Sequence, residues 1–149
     1  MKYEKIWNKI LSADEKVEIE FSVGDRYRKF WLLVWGIIGL PFLFASPLAI
    51  FIFLVALFYY GFYLKVANAY AFTNKRVLIH RGWLSTNTIS VDYSKITDVH
   101  IQEPFFERLI THTGNIAINT AGTTFHEVIL RHIKSPYEIK KQLDTLKDK

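Results

Sequence analysis

The side chains of this 149-residue chain that could take part in chemistry are five histidines, scattered serines and carboxylates, and 19 lysines and arginines. A zinc site needs three or four ligands that converge on one ion, but the histidines fall on four or five predicted strands and loops, with no H-x-x-x-H pair. His126 and His132 share one face of a predicted strand, yet six residues of strand separate two side chains by about 20 Å. We therefore expect exposed histidines in strands or loops, and no metal site.

The sequence also lacks the motifs of nucleophilic catalysis and of phosphate-binding loops. No serine lies in a G-x-S-x-G context, and the absence of cysteine excludes thiolate nucleophiles, disulfides and thiolate metal sites. The seven glycines are dispersed along the chain, so they form no glycine-rich loop that could hold a phosphate. The sequence therefore predicts a protein that is not an enzyme and needs no cofactor.

The basic residues remain as candidates for binding. Arg suits phosphate by forked hydrogen bonds, and Lys suits it as a point charge. Residues 1–29 contain seven Lys/Arg and six Asp/Glu, whereas residues 65–149 contain twelve and eight. This mild excess suits an anionic membrane surface, but the basic residues never form the run of five or more that would indicate nucleic acid. We expect anionic lipid headgroups, and no nucleic acid, as partners.

The charged parts of the chain are separated by 35 residues without a charge, at 30–64. A single helix of this length would extend for about 52 Å, well beyond a hydrocarbon core of ~30 Å. Proline at position 47 disfavours helix in the residue before it, so Ala45-Ser46-Pro47 is expected to break the run. The sequence predicts a transmembrane helical hairpin with spans at 30–44 and 48–64. A re-entrant hairpin that does not cross the membrane is the alternative.

Basic residues flank this hairpin on both sides, while its turn is uncharged: Arg26, Arg28 and Lys29 precede it and Lys65 follows it. By the positive-inside rule, both termini lie in the cytoplasm. The four basic residues are then near the lipid headgroups and are candidates for contact with them.

The residues before the hairpin, 1–29, are predicted to form a cytoplasmic segment with a short amphipathic helix and a strand. The apolar residues of the helix fall on one stripe: Tyr3, Ile6, Trp7, Ile10 and Leu11. Such a helix could lie on the inner leaflet or pack against the rest of the protein. Alternation of apolar and polar residues over 17–21 indicates the strand.

After Lys65 the pattern changes to short alternating strands separated by turn signals, which is typical of a small antiparallel sandwich or barrel. Ser135 and Pro136 then mark the beginning of a C-terminal helix, whose apolar stripe contains Ile139, Leu143 and Leu146. The fold class we expect is a transmembrane hairpin followed by a mainly-β domain of about seven strands at 66–149, closed by this helix.

Residues 70–143 resemble the bacterial pleckstrin-homology (PH) domain family, whose members follow a pair of membrane spans. The resemblance lies in the order and spacing of five stretches: TNKRV at 73–77, RGWL at 81–84, YSKITDV at 93–99, GNIAI at 114–118 and TAG at 120–122. One departure is visible before the strand at Ile116, where the expected glycine-rich turn is replaced by ITHT and only Gly114. The resemblance implies a PH-like fold at a bacterial cell membrane, and no established reaction.

In phosphoinositide-binding PH domains, the loop between the first two strands carries cationic side chains that contact the headgroup. The matching turn here contains Lys75 and Arg76, and Arg81 lies at the other end of the following strand. The resemblance therefore implies that these three residues contact lipid. The alternative for Arg76 is that it braces a carboxylate within the fold.

Together these features predict a membrane-anchored PH-like binding or scaffolding protein at the cytoplasmic face of the bacterial inner membrane. Self-association, or assembly with another integral-membrane protein, is the partnership we expect. Two other functions fit the same sequence: a subunit of a membrane export or envelope-resistance complex, and a module that senses a small ligand.

Overall fold

Strands in two antiparallel sheets dominate the computed structural model, which describes residues 3–42, 46–121 and 128–148. The first sheet has four strands in sequence order, and the second has three. They are β1 (Val17–Ser22), β2 (Asn68–Thr73), β3 (Arg76–Arg81) and β4 (Asn87–Asp92), then β5 (Ile96–Gln102), β6 (Thr113–Thr120) and β7 (Val128–Lys134). This confirms the predicted mainly-β sandwich. The predicted turn at 122–123 and the beginning of the last predicted strand, at 125–127, lie outside the described residues.

Four helices accompany the sheets: α1 (Glu4–Trp7), α2 (Asp25–Phe42), α3 (Pro47–Val66) and α4 (Pro136–Lys147). A π-helical turn, Tyr59–Tyr63, interrupts α3, and another, Glu107–Thr111, connects β5 to β6. At the beginning of α3, Ser46 Oγ accepts a hydrogen bond from the Ala49 amide at 3.3 Å, and Pro47 fits the first helical position. The predicted C-terminal helix is confirmed as α4, with Leu143 completely buried.

The first strand of the sandwich comes from the segment before the helices. β1 pairs with β2 in antiparallel register, with Ser22 opposite Ala69 and Phe21 opposite Tyr70. The helices α2 and α3 are therefore inserted between two neighbouring strands of one sheet. The predicted beginning of the mainly-β domain at residue 66 is therefore too late, because alternation at 17–21 indicates a strand but cannot identify a partner so far along the chain.

The core lies between the two sheets and beneath α4. Its fully buried side chains come from both sheets: Tyr70, Phe72, Val77, Ile79, Ile116, Ile118 and Leu130. The outer face of the first sheet is also covered, because Trp7 of α1 packs on Ala69, Ala71 and Leu78 with no exposed surface. Of the two places considered for the N-terminal helix, the structure shows packing against the protein's own sheet.

The helices α2 and α3 pack against each other as an antiparallel pair. Trp31 stacks on Tyr60 with ring centroids 5.7 Å apart, and Gly39 lies so close to Phe53 that a Cβ atom would be 2.4 Å from its Cδ2. The first half of α2 thus lies beside the second half of α3, and the end of α2 lies nearer the beginning of α3, so the two helices run in opposite directions. Glycine at position 39 permits this close approach.

Within the described residues, one helix is long and apolar enough to cross a membrane, judged by length and composition: α3. It has 20 residues and a mean hydropathy of 2.1 over its most apolar stretch, of which 11% is buried. Four of the first five residues of α2 are charged, and its apolar part at 30–42 is about 20 Å long, shorter than a ~30 Å hydrocarbon core. The two-span hairpin therefore stays a prediction, and the end of its first span and Ala45 lie outside the described residues.

An ion pair joins the segment between α1 and β1 to the turn between β2 and β3. The Glu15 carboxylate, whose side chain is 1% exposed, accepts hydrogen bonds from Arg76 Nε at 2.9 Å, Arg76 Nη2 at 2.8 Å and Thr73 Oγ1 at 2.8 Å. Burial alone would raise the pKa of Glu15, but the bonds from Arg76 and Thr73 outweigh it and hold the pKa below its ordinary value of 4.5. Next to this pair, Asp14 binds Lys75 at the surface, at 2.6 Å.

We expect Glu15→Gln to destabilise the fold, because it leaves the Arg76 guanidinium without its counter-charge. The loss should be about 2 kcal/mol at pH 7, below the ~3–5 kcal/mol of a fully buried pair, since Arg76 is partly exposed. Thermal unfolding of the purified full chain, followed by tryptophan fluorescence, measures the loss. Asp14→Asn is the matched control: it removes the neighbouring carboxylate from an exposed pair and should leave the midpoint nearly unchanged.

The difference between wild type and Glu15→Gln should also depend on pH. Because folding lowers the pKa of Glu15, its stabilisation is fully present above about pH 4.5 and is lost as pH falls through the folded-state pKa. The two midpoints should converge in acid. Equal midpoints at neutral pH would contradict a stabilising role for this ion pair.

Candidate functional site

Lys75 and Arg76, the basic turn predicted to contact lipid, lie at the end of the sandwich remote from the helices. The helices join the first sheet where β1 ends and β2 begins, and a six-residue strand spans about 20 Å. Both side chains are also engaged, Lys75 with Asp14 and Arg76 with Glu15. For Arg76 the structure shows the alternative, in which it braces a carboxylate within the fold.

Arg81, the third residue of that prediction, lies at the helix end of β3. The next amide, that of Gly82, donates to the carbonyl of Ala67 just after α3, at 2.8 Å. Gly82 has φ of +101°, and a Cβ atom there would be 1.9 Å from the carbonyl oxygen of Ser85, so the turn requires glycine. Arg81 Nη2 donates across the sandwich to the carbonyl of Ile129 in β7.

The basic residues that flank the helices occupy two kinds of environment. Arg28 is buried, forms an ion pair with Asp25 at 3.2 Å and donates to the carbonyl of Tyr60 at 3.3 Å, so it joins α2 to α3. The others are exposed and form no ion pair within the part of the chain that the structure describes: Arg26, Lys29 and Lys65.

A partly enclosed cavity of about 240 Å³ lies among the helix-side ends of both sheets and the end of α3. Arg81 reaches it from the first sheet, Arg131 from the second, and Tyr59 and Tyr63 from the π-helical turn of α3. None of its lining residues in the described chain is acidic. Two arginines and no acidic residue among the described lining give the cavity the chemistry of an anion-binding site.

Both arginines also interact with the buried Tyr70. Burial raises the pKa of Tyr70, while the hydrogen bond from the Arg131 backbone, the charge and side-chain hydrogen bond of Arg81, and the charge of Arg131 partly oppose this rise. The Tyr70 hydroxyl also accepts a hydrogen bond from the Arg131 amide at 3.4 Å. Arg131 itself is exposed, and its guanidinium has no ion pair or hydrogen bond within residues 3–42, 46–121 and 128–148.

His132, beside the cavity, fixes α2 to the second sheet. Its ring stacks on Tyr27 of α2 with centroids 3.9 Å apart, and its Nδ1 lies 3.0 Å from Glu107 Oε2. Its carbonyl accepts from the Gly24 amide at 2.7 Å. The expectation of exposed histidines is wrong for His80, which is buried next to Thr88, and His126 lies outside the described residues.

Exposed apolar side chains surround the same end of the sandwich. We call them the apolar rim: Trp83, Leu84, Phe105, Phe106, Leu109 and Ile110. Leu84 is 88% exposed and Phe106 is 72% exposed. The Trp83 ring lies 5.3 Å from that of Phe62 in α3, and the turn at Glu107–Thr111 contacts α2. The rim thus has one part beside each helix.

Two comparisons with solved structures show the fold. A crystal structure of a DUF1696 family protein with a pleckstrin-homology domain, from Shewanella loihica PV-4, is similar with a TM-score of 0.54 at 11% identity, covering 98% of this chain and 94% of that one. A pleckstrin homology domain from Shewanella amazonensis SB2B gives 0.53 at 11% identity, covering 95% and 82%. No curated protein matches this sequence.

The sequence profile described as bacterial PH domain matches residues 27–147. The match includes nearly all of α2, the whole of α3, β2 to β7 and the whole of α4, and it leaves out β1. It covers most of the chain, and the two-sheet sandwich closed by a C-terminal helix agrees with it. The chain therefore belongs to the bacterial PH domain family.

Proposed function

We propose that this protein is a non-catalytic, membrane-anchored binding or scaffolding protein, with α2 and α3 in the bacterial inner membrane. The observation that carries the proposal is the exposed apolar surface of α3, since only 11% of its most apolar stretch is buried. A core helix of a water-soluble protein would be mostly buried. A large apolar surface that stays exposed instead marks a site of contact with another protein or with a membrane. Lipid is a suitable environment for such a surface.

The charges and aromatic rings at the base of the helices support the same placement. The exposed Arg26, Lys29 and Lys65 lie where the helices meet the sandwich, and basic residues favour the cytoplasmic side. Trp31 and Tyr60 stack at the neighbouring level, where aromatic rings favour the headgroup region. Both termini are then cytoplasmic.

The apolar rim supports a sandwich that lies directly against the bilayer. Its side chains continue the apolar surface of the helices outward from their base, through the contact of Trp83 with Phe62 and Phe58. Exposed aromatic and aliphatic side chains at this position would otherwise face water. The domain is thus seated on the membrane surface, rather than tethered at a distance from it.

The exposed face of α3 also favours assembly with copies of this chain or with another integral-membrane protein, as in an export or envelope-resistance complex. Helices in a bilayer associate through packing of such faces. A stable integral-membrane partner that co-purifies with the full chain would support this second function, whereas a chain that purifies alone from its native membrane would favour the first.

The topology can be tested with single cysteines, because the chain has none. In intact cells, a membrane-impermeant maleimide should label Ser46→Cys at the beginning of α3, and it should label Asp144→Cys of α4 only after the cells are opened. Two spans place these residues on opposite sides of the membrane. Labelling of both only after opening would contradict two spans and favour the re-entrant hairpin.

The seating of the sandwich can be tested with nitroxide labels at Leu84→Cys, Phe106→Cys and Lys75→Cys in the full chain in lipid nanodiscs. Labels in the apolar rim should collide mainly with oxygen, which concentrates in the bilayer. The label at position 75, about 20 Å away along the strands, should collide mainly with a water-soluble nickel chelate. If the labels in the apolar rim collide with the nickel chelate as often as the label at position 75, the rim does not contact the bilayer.

A further inference from the structure

We propose that the cavity between Arg81 and Arg131 binds the phosphate group of an anionic lipid at the inner leaflet. The inference rests on the proposed membrane location and names a ligand class and a site for it. It concerns a different surface from the turn of Lys75 and Arg76, whose charges are already paired within the fold.

The charge of the residues that line the cavity favours an anionic ligand. The Arg131 guanidinium has no ion pair or hydrogen bond within the described chain. Arg81 hydrogen-bonds the Ile129 carbonyl and Tyr70, which leaves further N–H groups of its five. No acidic residue lines the described part of the cavity. Two arginines from different sheets can therefore donate to one tetrahedral anion, and forked donation to phosphate is the strongest contact that Arg forms.

The size of the cavity limits the ligand that it can hold. At about 240 Å³, the cavity is smaller than the ~300–1,000 Å³ of sites for drug-sized ligands. It can hold a phosphate ester but not a large headgroup and its chains. The rest of a lipid must therefore leave the cavity through its open side.

The cavity lies beside α3. Tyr59 and Tyr63 stack on each other at 5.5 Å and form part of the wall, and the exposed apolar face of α3 continues beyond them through Val55 and Leu54. A phosphate between the arginines would place its acyl chains along this face. Tyrosine at this depth also matches the headgroup region.

The test is native mass spectrometry of the detergent-solubilised full chain with three probes: phosphatidylglycerol, phosphatidylcholine and glycerol phosphate. Wild type should bind its first phosphatidylglycerol about tenfold more tightly than phosphatidylcholine, whose quaternary ammonium opposes the arginines. Arg131→Gln should weaken phosphatidylglycerol binding about tenfold, because it removes one charge-assisted contact. Arg131→Lys keeps the charge without the fork and should give an intermediate affinity.

Lys134→Gln is the matched control. Lys134 is an exposed basic residue of the same strand, nearer to the base of α2, and it does not line the cavity in the described structure. If binding reflects only general attraction to negative lipid, Arg131→Gln and Lys134→Gln should weaken phosphatidylglycerol binding equally. That result, or unchanged binding in Arg131→Gln, would overturn the proposal.

Glycerol phosphate separates the two sources of phosphate. If it competes with phosphatidylglycerol at equal concentration and depends on Arg131 in the same way, the phosphate site is correct and its ligand is a soluble ester. If phosphatidylglycerol alone binds tightly, the ligand is a lipid. Cysteine labelling does not depend on Arg131, so failure of this site leaves the proposed topology intact. Conversely, labelling that contradicts two spans would leave the glycerol phosphate result interpretable.

Discussion

Antiparallel pairing of β1 with β2 determines where the two helices begin and end. Because Ser22 lies opposite Ala69, the chain that leaves β1 must return to its starting point after it has formed α2 and α3. The helices are therefore an antiparallel pair with both bases at one end of the sandwich. The same pairing gathers the cavity, the apolar rim and the stack of Tyr27 on His132 around those bases. The flanking basic residues and the apolar rim used in the proposed function therefore lie at this end.

The two ends of the sandwich differ in how their charges are paired. At the end remote from the helices, Arg76 is held by Glu15 and can bind a phosphate only if it leaves a buried carboxylate uncompensated, which is costly. At the helix end, the Arg131 guanidinium has no ion pair or hydrogen bond in the described chain and loses no internal bond when an anion binds. The geometry thus favours anion binding at the end that the helices would hold against the membrane, where only Arg81 of the three residues implied by the family resemblance lies.

Local patterns in the sequence were sufficient for most elements, and long-range pairings were not. Alternation and turn residues predicted the strands after the helices, and Ser135-Pro136 predicted α4, because these signals depend on neighbouring residues. Pairing of β1 with β2 joins residues that both helices separate in the sequence, so no local pattern indicates it. For this reason the mainly-β domain was predicted to begin only after the helices. At the site, Arg81 was a candidate but Arg131 was not, since a single arginine in a strand has no signal until the second sheet brings it to the cavity. His112 replaces the expected glycine by adopting φ of 52° itself, which no pattern around it indicates.

The proposed placement has two parts: the helices lie in the bilayer, and they hold the sandwich directly on its surface. Neutron reflectometry of the full chain in a supported bilayer, with contrast between deuterated lipid and protein, measures both parts at once. We expect protein within the hydrocarbon layer, and a protein layer about 20–30 Å thick, the length of its strands, that adjoins the headgroups without an intervening water layer. Protein confined to the outside of an intact hydrocarbon layer, or separated from the headgroups by water, would be inconsistent with this placement.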